Sequence, residues 1–128
     1  MARITLRIDF DGGRAAGRSL GPGKVRLLEL VGETGSISAA GRAMGMSYRR
    51  AWLLVDALNG MFDAPVVLAR GGGAGGGGAS LTPFGLSVVA DYRAMERDAA
   101  AALAERVERL EAALGRNREP ASNEEEQG

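Results

Sequence analysis

Along the first ten residues Ile4, Leu6, Ile8 and Phe10 alternate strictly with Arg3, Thr5, Arg7 and Asp9. Period two predicts a strand with one face buried. Asp11-Gly12-Gly13 then offers a turn, and Arg14 to Gly23 reads as an irregular connection. From Pro22 the period becomes helical: Val25, Leu28 and Val31 share a face, Leu27 and Leu30 lie beside them, and Gly32 to Gly35 close a helix of about three turns.

Two more helices follow in quick succession. Ser36 is placed to cap a short one carrying Ile37, Ala40 and Met44, Gly45 ends it, and Ser47 is placed to cap the next. Two helices parted by a glycine-containing turn form a helix-turn-helix candidate. At about 100° per residue, Ala51, Val55, Leu58 and Phe62 make the buried stripe of the second helix. Arg49, Leu53 and Asp56 fall on the opposite face, with Arg50 and Ala57 at one margin and Trp52 nearer the other.

Asp63-Ala-Pro65 stops this helix, Val66 to Arg70 reads as a strand, and Ala79 to Thr82 reads as the return strand of a hairpin. Pro83 suits the first turn of a long last helix capped by Thr82. Along it Val88, Tyr92, Met95, Ala99, Leu103, Val107, Leu110 and Leu114 recur every three or four residues, an apolar seam of coiled-coil type without a strict heptad. Val88 to Met95 is expected to pack on the chain's own core. Leu103 to Leu114 reaches beyond what so small a core covers, which favours a partner helix from a second chain. After Gly115 the chain turns polar, and residues 116–128, with Glu124-Glu125-Glu126, are expected to be a disordered acidic tail.

Composition narrows the chemistry. The 128 residues contain no Cys and no His, which removes disulfides, Cys/His zinc sites and histidine-assisted nucleophiles. The expectation is therefore no enzyme, no cofactor and no metal. There is neither a run of about 18 apolar residues nor a signal-peptide core, so a cytoplasmic chain with no membrane partner is expected. Sixteen Lys+Arg balance sixteen Asp+Glu, but the balance is a cancellation between two regions. Residues 1–95 hold eleven basic and seven acidic side chains, whereas residues 96–128 hold five and nine. The excess positive charge thus lies on the helix-turn-helix part, as a nucleic-acid binder requires.

Adjacent arginines in the first turn of a helix oppose its dipole. Contact of Arg49 and Arg50 with guanine or phosphate would compensate; the bland alternative is a solvated surface pair. Trp52 suits either a helix junction or DNA contact, and Tyr48 can reach a phosphate while its ring stays partly packed. Of the 20 glycines, seven fall between Gly71 and Gly78. With no Lys-Ser/Thr after them and no helix opening on them, a nucleotide-phosphate loop is a weak reading. Close approach to a sugar-phosphate surface and a hairpin tip without contacts remain about equally supported.

Gly35-Ser-Ile-Ser-Ala-Ala-Gly41, Met46-Ser-Tyr-Arg-Arg-Ala-Trp52, and the glycine run between Arg70 and Leu81-Thr-Pro-Phe-Gly85 together resemble the DNA-binding domain of the ModE family of molybdate-responsive transcriptional regulators. A looser similarity is to LysR-type regulator heads. The resemblance covers residues 3–100 and implies a mainly α fold with a small β-hairpin: a winged helix-turn-helix over 1–82 (wing 66–82) and a dimerisation helix over 83–115. It further implies a homodimer on double-stranded DNA at a roughly palindromic operator of molybdenum metabolism or transport genes. The DNA contacts it implies are Ser36, Ser38, Ser47, Tyr48, Arg49, Arg50, Arg70 and the wing, Gly72 and Gly75 included, with Trp52 added from its place on the helix. The dimer contacts are Tyr92, Met95, Ala99, Leu103, Val107, Leu110 and Leu114. The family's molybdate-binding modules have no counterpart after Leu114, so no molybdate binding is expected in this chain. The alternative is an interaction module that heterodimerises with a full-length regulator.

Overall fold

The computed structural model describes residues 2–13, 18–70 and 78–115. Within them the chain is mainly helical, with four helices and two small antiparallel hairpins. β1 (Ile8–Asp9) pairs with β2 (Ser19–Leu20), with Ile8 opposite Leu20 and Asp9 opposite Ser19. α1 (Pro22–Thr34), α2 (Ile37–Ala43) and α3 (Tyr48–Met61) follow. β3 (Val67–Arg70) and β4 (Gly78–Leu81) form the second hairpin, and α4 (Pro83–Ala112) is the last element among the described residues.

The ends of these elements follow from the residues found there. Pro22 opens α1, and Gly35 closes it at φ 70°, where its N–H donates to the Val31 carbonyl. That left-handed conformation favours glycine. Side-chain oxygens cap the other three helices: Ser36 accepts from Ala39 N, Ser47 from Arg50 N and Thr82 from Gly85 N. The expected caps at Ser36, Ser47 and Thr82 are therefore all present.

α1 is the centre of the core. Val25, Leu27, Leu28, Leu30 and Val31 are buried, and around them pack Ile37 and Ala40 of α2, Ala51, Val55 and Leu58 of α3, and Val66, Val67 and Ala79 from the second hairpin. Two details differ from the sequence reading. A two-residue strand, β2, occupies part of the segment expected to be irregular; it is too short to carry a period, and the Phe10 N–H to Arg18 carbonyl bond of 2.9 Å extends the pairing. The last buried residue of the α3 stripe is Met61, because the helix stops there. Phe62 is extended and half-buried, with its ring edge-on to Phe84 at 5.4 Å.

α4 touches the core only along its first third. Tyr92 is wholly buried and its hydroxyl donates to the Leu6 carbonyl at 2.7 Å, tying the amino-terminal arm to a residue 86 positions away. Its spacing placed it in the seam; the structure shows its ring taken up by the chain's own core. Arg93, beside it, grips α1: Nε and Nη2 donate to the two carboxylate oxygens of Glu29, each at 3.0 Å, while Nη1 donates to Glu96 at 2.8 Å. Arg26 adds bonds to Glu29 and Glu33 at 3.2 Å. A bidentate guanidinium–carboxylate pair fixes orientation as well as contributing energy. Beyond it Met95, Leu103, Leu110 and Leu114 are exposed while Ala99 and Val107 are half-buried.

Two tests address this packing. Gly85 sits so close under the Val66 peptide that an added Cβ would collide with its carbonyl oxygen. Gly85→Ala is expected to lower stability by about 1 to 3 kcal/mol, as overpacking against backbone does, despite alanine's better helix propensity; a urea midpoint equal to wild type would contradict this. The hydrogen bonds from Arg93 are the main reason the Glu29 carboxyl titrates below its ordinary value of 4.5. A depressed folded-state value means that the contribution is complete above the unfolded value and lost as pH falls through the folded one. The stability gap between wild type and Glu29→Gln should therefore narrow on acidification from about pH 5 to about pH 3, measured by urea unfolding.

Candidate nucleic-acid interface

The candidate face is built on the α2–α3 pair. Gly41 of α2 lies against α3 so closely that a Cβ there would stand 2.8 Å from the Ala51 Cβ. Two small residues at the crossing let the axes approach. The turn between the helices is fixed by Gly45, at φ 72°, and by the Met46 N–H bond to the Gly41 carbonyl at 3.0 Å.

This packing turns one side of α3 inward and the other out. Ala51, Val55, Leu58 and Met61 are buried, whereas Tyr48, Arg49, Arg50, Trp52, Leu53 and Asp56 are exposed. Tyr48 and Trp52 meet edge to face, with centroids 6.2 Å apart. Among the described residues, neither Arg49 nor Arg50 forms an ion pair, unlike Arg7, Arg26 and Arg93. The first turn of α3 carries no acidic residue, so its unpaired N–H groups and both guanidinium groups present positive charge together.

The other expected residues are arranged around this helix. Ser36 and Ser47 use their side-chain oxygens as caps, which leaves each hydroxyl hydrogen free to donate to an incoming acceptor. Ser38 is half-buried and accepts from Arg42 at 2.9 Å. Arg70 ends β3, and its guanidinium lies back over Gly78. Gly72 and Gly75, with the rest of the expected wing tip, lie outside the described residues, as does the tail 116–128.

Asn59 escaped the sequence reading. Its Oδ1 accepts from the N–H groups of Val66 and Val67 at 2.8 and 3.1 Å, and its Nδ2 donates to the Val67 carbonyl at 3.1 Å. One side chain thereby sets the hairpin's position relative to the last turn of α3. Its only sequence signal is a polar residue interrupting an apolar stretch just before Asp63-Ala-Pro65. Among the described residues, no cluster of acidic side chains is able to hold a metal, and no helix is long and apolar enough to cross a membrane.

Helices with an outward-facing basic end, coupled to a hairpin, characterise the chain, and comparison with known proteins makes its relationship specific. No family profile matches the chain. The molybdenum-pterin-binding protein MopB of Rhodobacter capsulatus is 51% identical over 80 residues, 62% of this chain and 30% of that protein. The molybdenum transport protein ModE of Azotobacter vinelandii is 36% identical over 115 residues, 90% of this chain and 40% of that protein. The transcriptional regulator ModE of Yersinia pestis is 37% identical over 71 residues, 56% of this chain and 27% of that protein. The ModE-family resemblance read from the motifs is thus borne out: the chain is a homologue of ModE-type proteins over most of its length. It spans about a third of the length of the first of these relatives.

The Gly41–Ala51 crossing yields a test of how the face is held. Gly41→Ala is expected to cost about 1 to 3 kcal/mol by forcing the helices apart. Adding Ala51→Gly removes the opposing methyl, so the double variant should be more stable than the two single losses predict, even though glycine in a helix costs about 1 kcal/mol itself. Strict additivity in thermal unfolding would show that the helices do not meet there.

Proposed function

We propose that the chain is a DNA-binding transcriptional regulator of the winged helix-turn-helix type. In this reading α2 and α3 form the helix-turn-helix, α3 enters the major groove, and the β3–β4 hairpin is the wing. The observation that carries the reading is the outward, ion-pair-free placement of Arg49 and Arg50 at the start of α3, within a face free of acidic residues until Asp56. Arg49 and Arg50 contact guanine edges or adjacent phosphates, Ser36, Ser47 and Tyr48 fix the register on phosphates, and Arg70 with the wing follows the backbone. ModE-type relatives named as transcriptional regulators support the same assignment.

The apolar seam on the far part of α4 supports a homodimer, since Leu103, Leu110 and Leu114 remain exposed on a single chain. Two copies present two α3 helices, which suits an operator with twofold symmetry. With relatives named as molybdenum transport proteins, we propose molybdenum metabolism or transport genes as the targets. With the acidic excess concentrated in residues 96–128, the negative region of the chain is separate in sequence from the reading head.

The test is a mobility-shift titration on a duplex enriched by the full chain from a randomised pool. Replacing both Arg49 and Arg50 by Ala should weaken binding by about 1 to 3 kcal/mol for each arginine in base contact. The slope of log affinity against log salt should drop by about 0.9 for each arginine on phosphate. An unchanged circular dichroism spectrum establishes that the fold persists, and unchanged affinity in that folded variant would refute the assignment.

A further inference from the structure

On the outer face of α3 Leu53 follows Arg49 by four residues and Arg50 by three, the spacings that make neighbours on a helix surface, and it remains 57% exposed. A single exposed leucine is ordinary; one flanked by two exposed arginines, Arg49 and Arg50, forms a surface with a specific character. Leu53 is not among the side chains packed on the core, whereas its neighbour Leu54 is. Its removal from the core is imposed by the helix, because Ala51, Val55 and Leu58 already occupy the buried stripe.

The surroundings of the patch decide what it fits. Among the described residues, Arg49 and Arg50 form no ion pair, and the first turn of α3 adds its own partial positive charge. A complementary surface must therefore carry negative charge at its rim and an apolar group within it. The major groove of DNA has that layout: phosphates border it, and the thymine 5-methyl is the apolar group that its floor presents. Leu53 follows Arg49 by one turn, about 6 Å along the axis. That distance is comparable with two base-pair rises of about 3.4 Å each.

We propose that this patch reads thymine by its 5-methyl group, with Leu53 making the contact while Arg49, one turn earlier, addresses a neighbouring base or phosphate. The proposal rests on the DNA-binding reading above and adds to it a base identity and the residue that selects it.

The experiment uses the full chain and duplexes of the sequence it enriches from a randomised pool, made with thymine or, one position at a time, with uracil. Uracil keeps every hydrogen-bonding edge of thymine and lacks only the methyl. At one or more positions per half-site the wild-type chain should bind the uracil duplex roughly fourfold more weakly, the ratio expected from one buried methyl-sized group. Leu53→Ala should bind the thymine duplex correspondingly less well and lose the preference at that position. Leu53→Met, apolar and of similar volume, should keep most of it. Equal binding of thymine and uracil duplexes by wild type, or a preference that survives in Leu53→Ala, would overturn the proposal while leaving DNA binding intact. Failure of the chain to enrich any duplex would overturn both.

Discussion

The peptide unit of Val66 is where three elements of this chain meet, and the geometry of the rest depends on it. Its N–H donates to Asn59 at the end of α3, and its carbonyl accepts from the Thr82 N–H at 3.0 Å, just ahead of α4. Gly85 closes over the same carbonyl where no side chain would fit. Thr82 completes the junction: its buried hydroxyl donates to the Pro65 carbonyl at 2.7 Å and accepts from Gly85 N at 2.8 Å. Each polar group buried there thus has a partner, which matters because an unsatisfied one costs about 1 to 3 kcal/mol. The position of the β3–β4 hairpin relative to α3 and the departure of α4 are therefore set by one node.

Much of this was legible in the sequence, for physical reasons that differ from element to element. Helix starts were readable because Ser36, Ser47 and Thr82 do a chemical job at a fixed offset, accepting from an N–H three residues on. The inward stripe of α3 was readable because a helix repeats every 3.6 residues. Phe62 fell outside that rule when the helix ended one residue earlier, and helix ends carry weaker signals than helix faces. β2 was unreadable because two residues hold no period. Asn59, Tyr92 and Arg93 act through partners distant in sequence, namely Val66 and Val67, Leu6, and Glu29. No local pattern encodes which distant group a side chain will find.

The candidate site divides along the same line. That Arg49, Arg50 and Leu53 face outward followed from the angular position of the buried stripe, and the structure places all three there. That Tyr48 and Trp52 pair edge to face, leaving both partly open, required three-dimensional packing. Trp52 meets Tyr48 on the same helix and still offers about a third of its surface to solvent. Ser36 and Ser47 show a comparable economy, since a hydroxyl that accepts from the backbone retains its own hydrogen for a second partner.

Charge placement links the two halves of the molecule. Arginines at the start of α3 form no ion pair among the described residues, whereas Arg26 and Arg93 are held by Glu29, Glu33 and Glu96. The same residue type therefore serves opposite ends: where carboxylates surround it, arginine fixes α4 against α1, and where they are missing, it leaves a face of unneutralised positive charge. Because α1 packs on α2 and α3 as well as on α4, the Arg93–Glu29 clamp fixes the direction of the long helix relative to α3 through the shared core. The far half of α4, with its exposed leucines, then leaves the head at a defined angle. In a dimer joined through that half, the separation of the two α3 helices would be set by this clamp and by the Val66 junction.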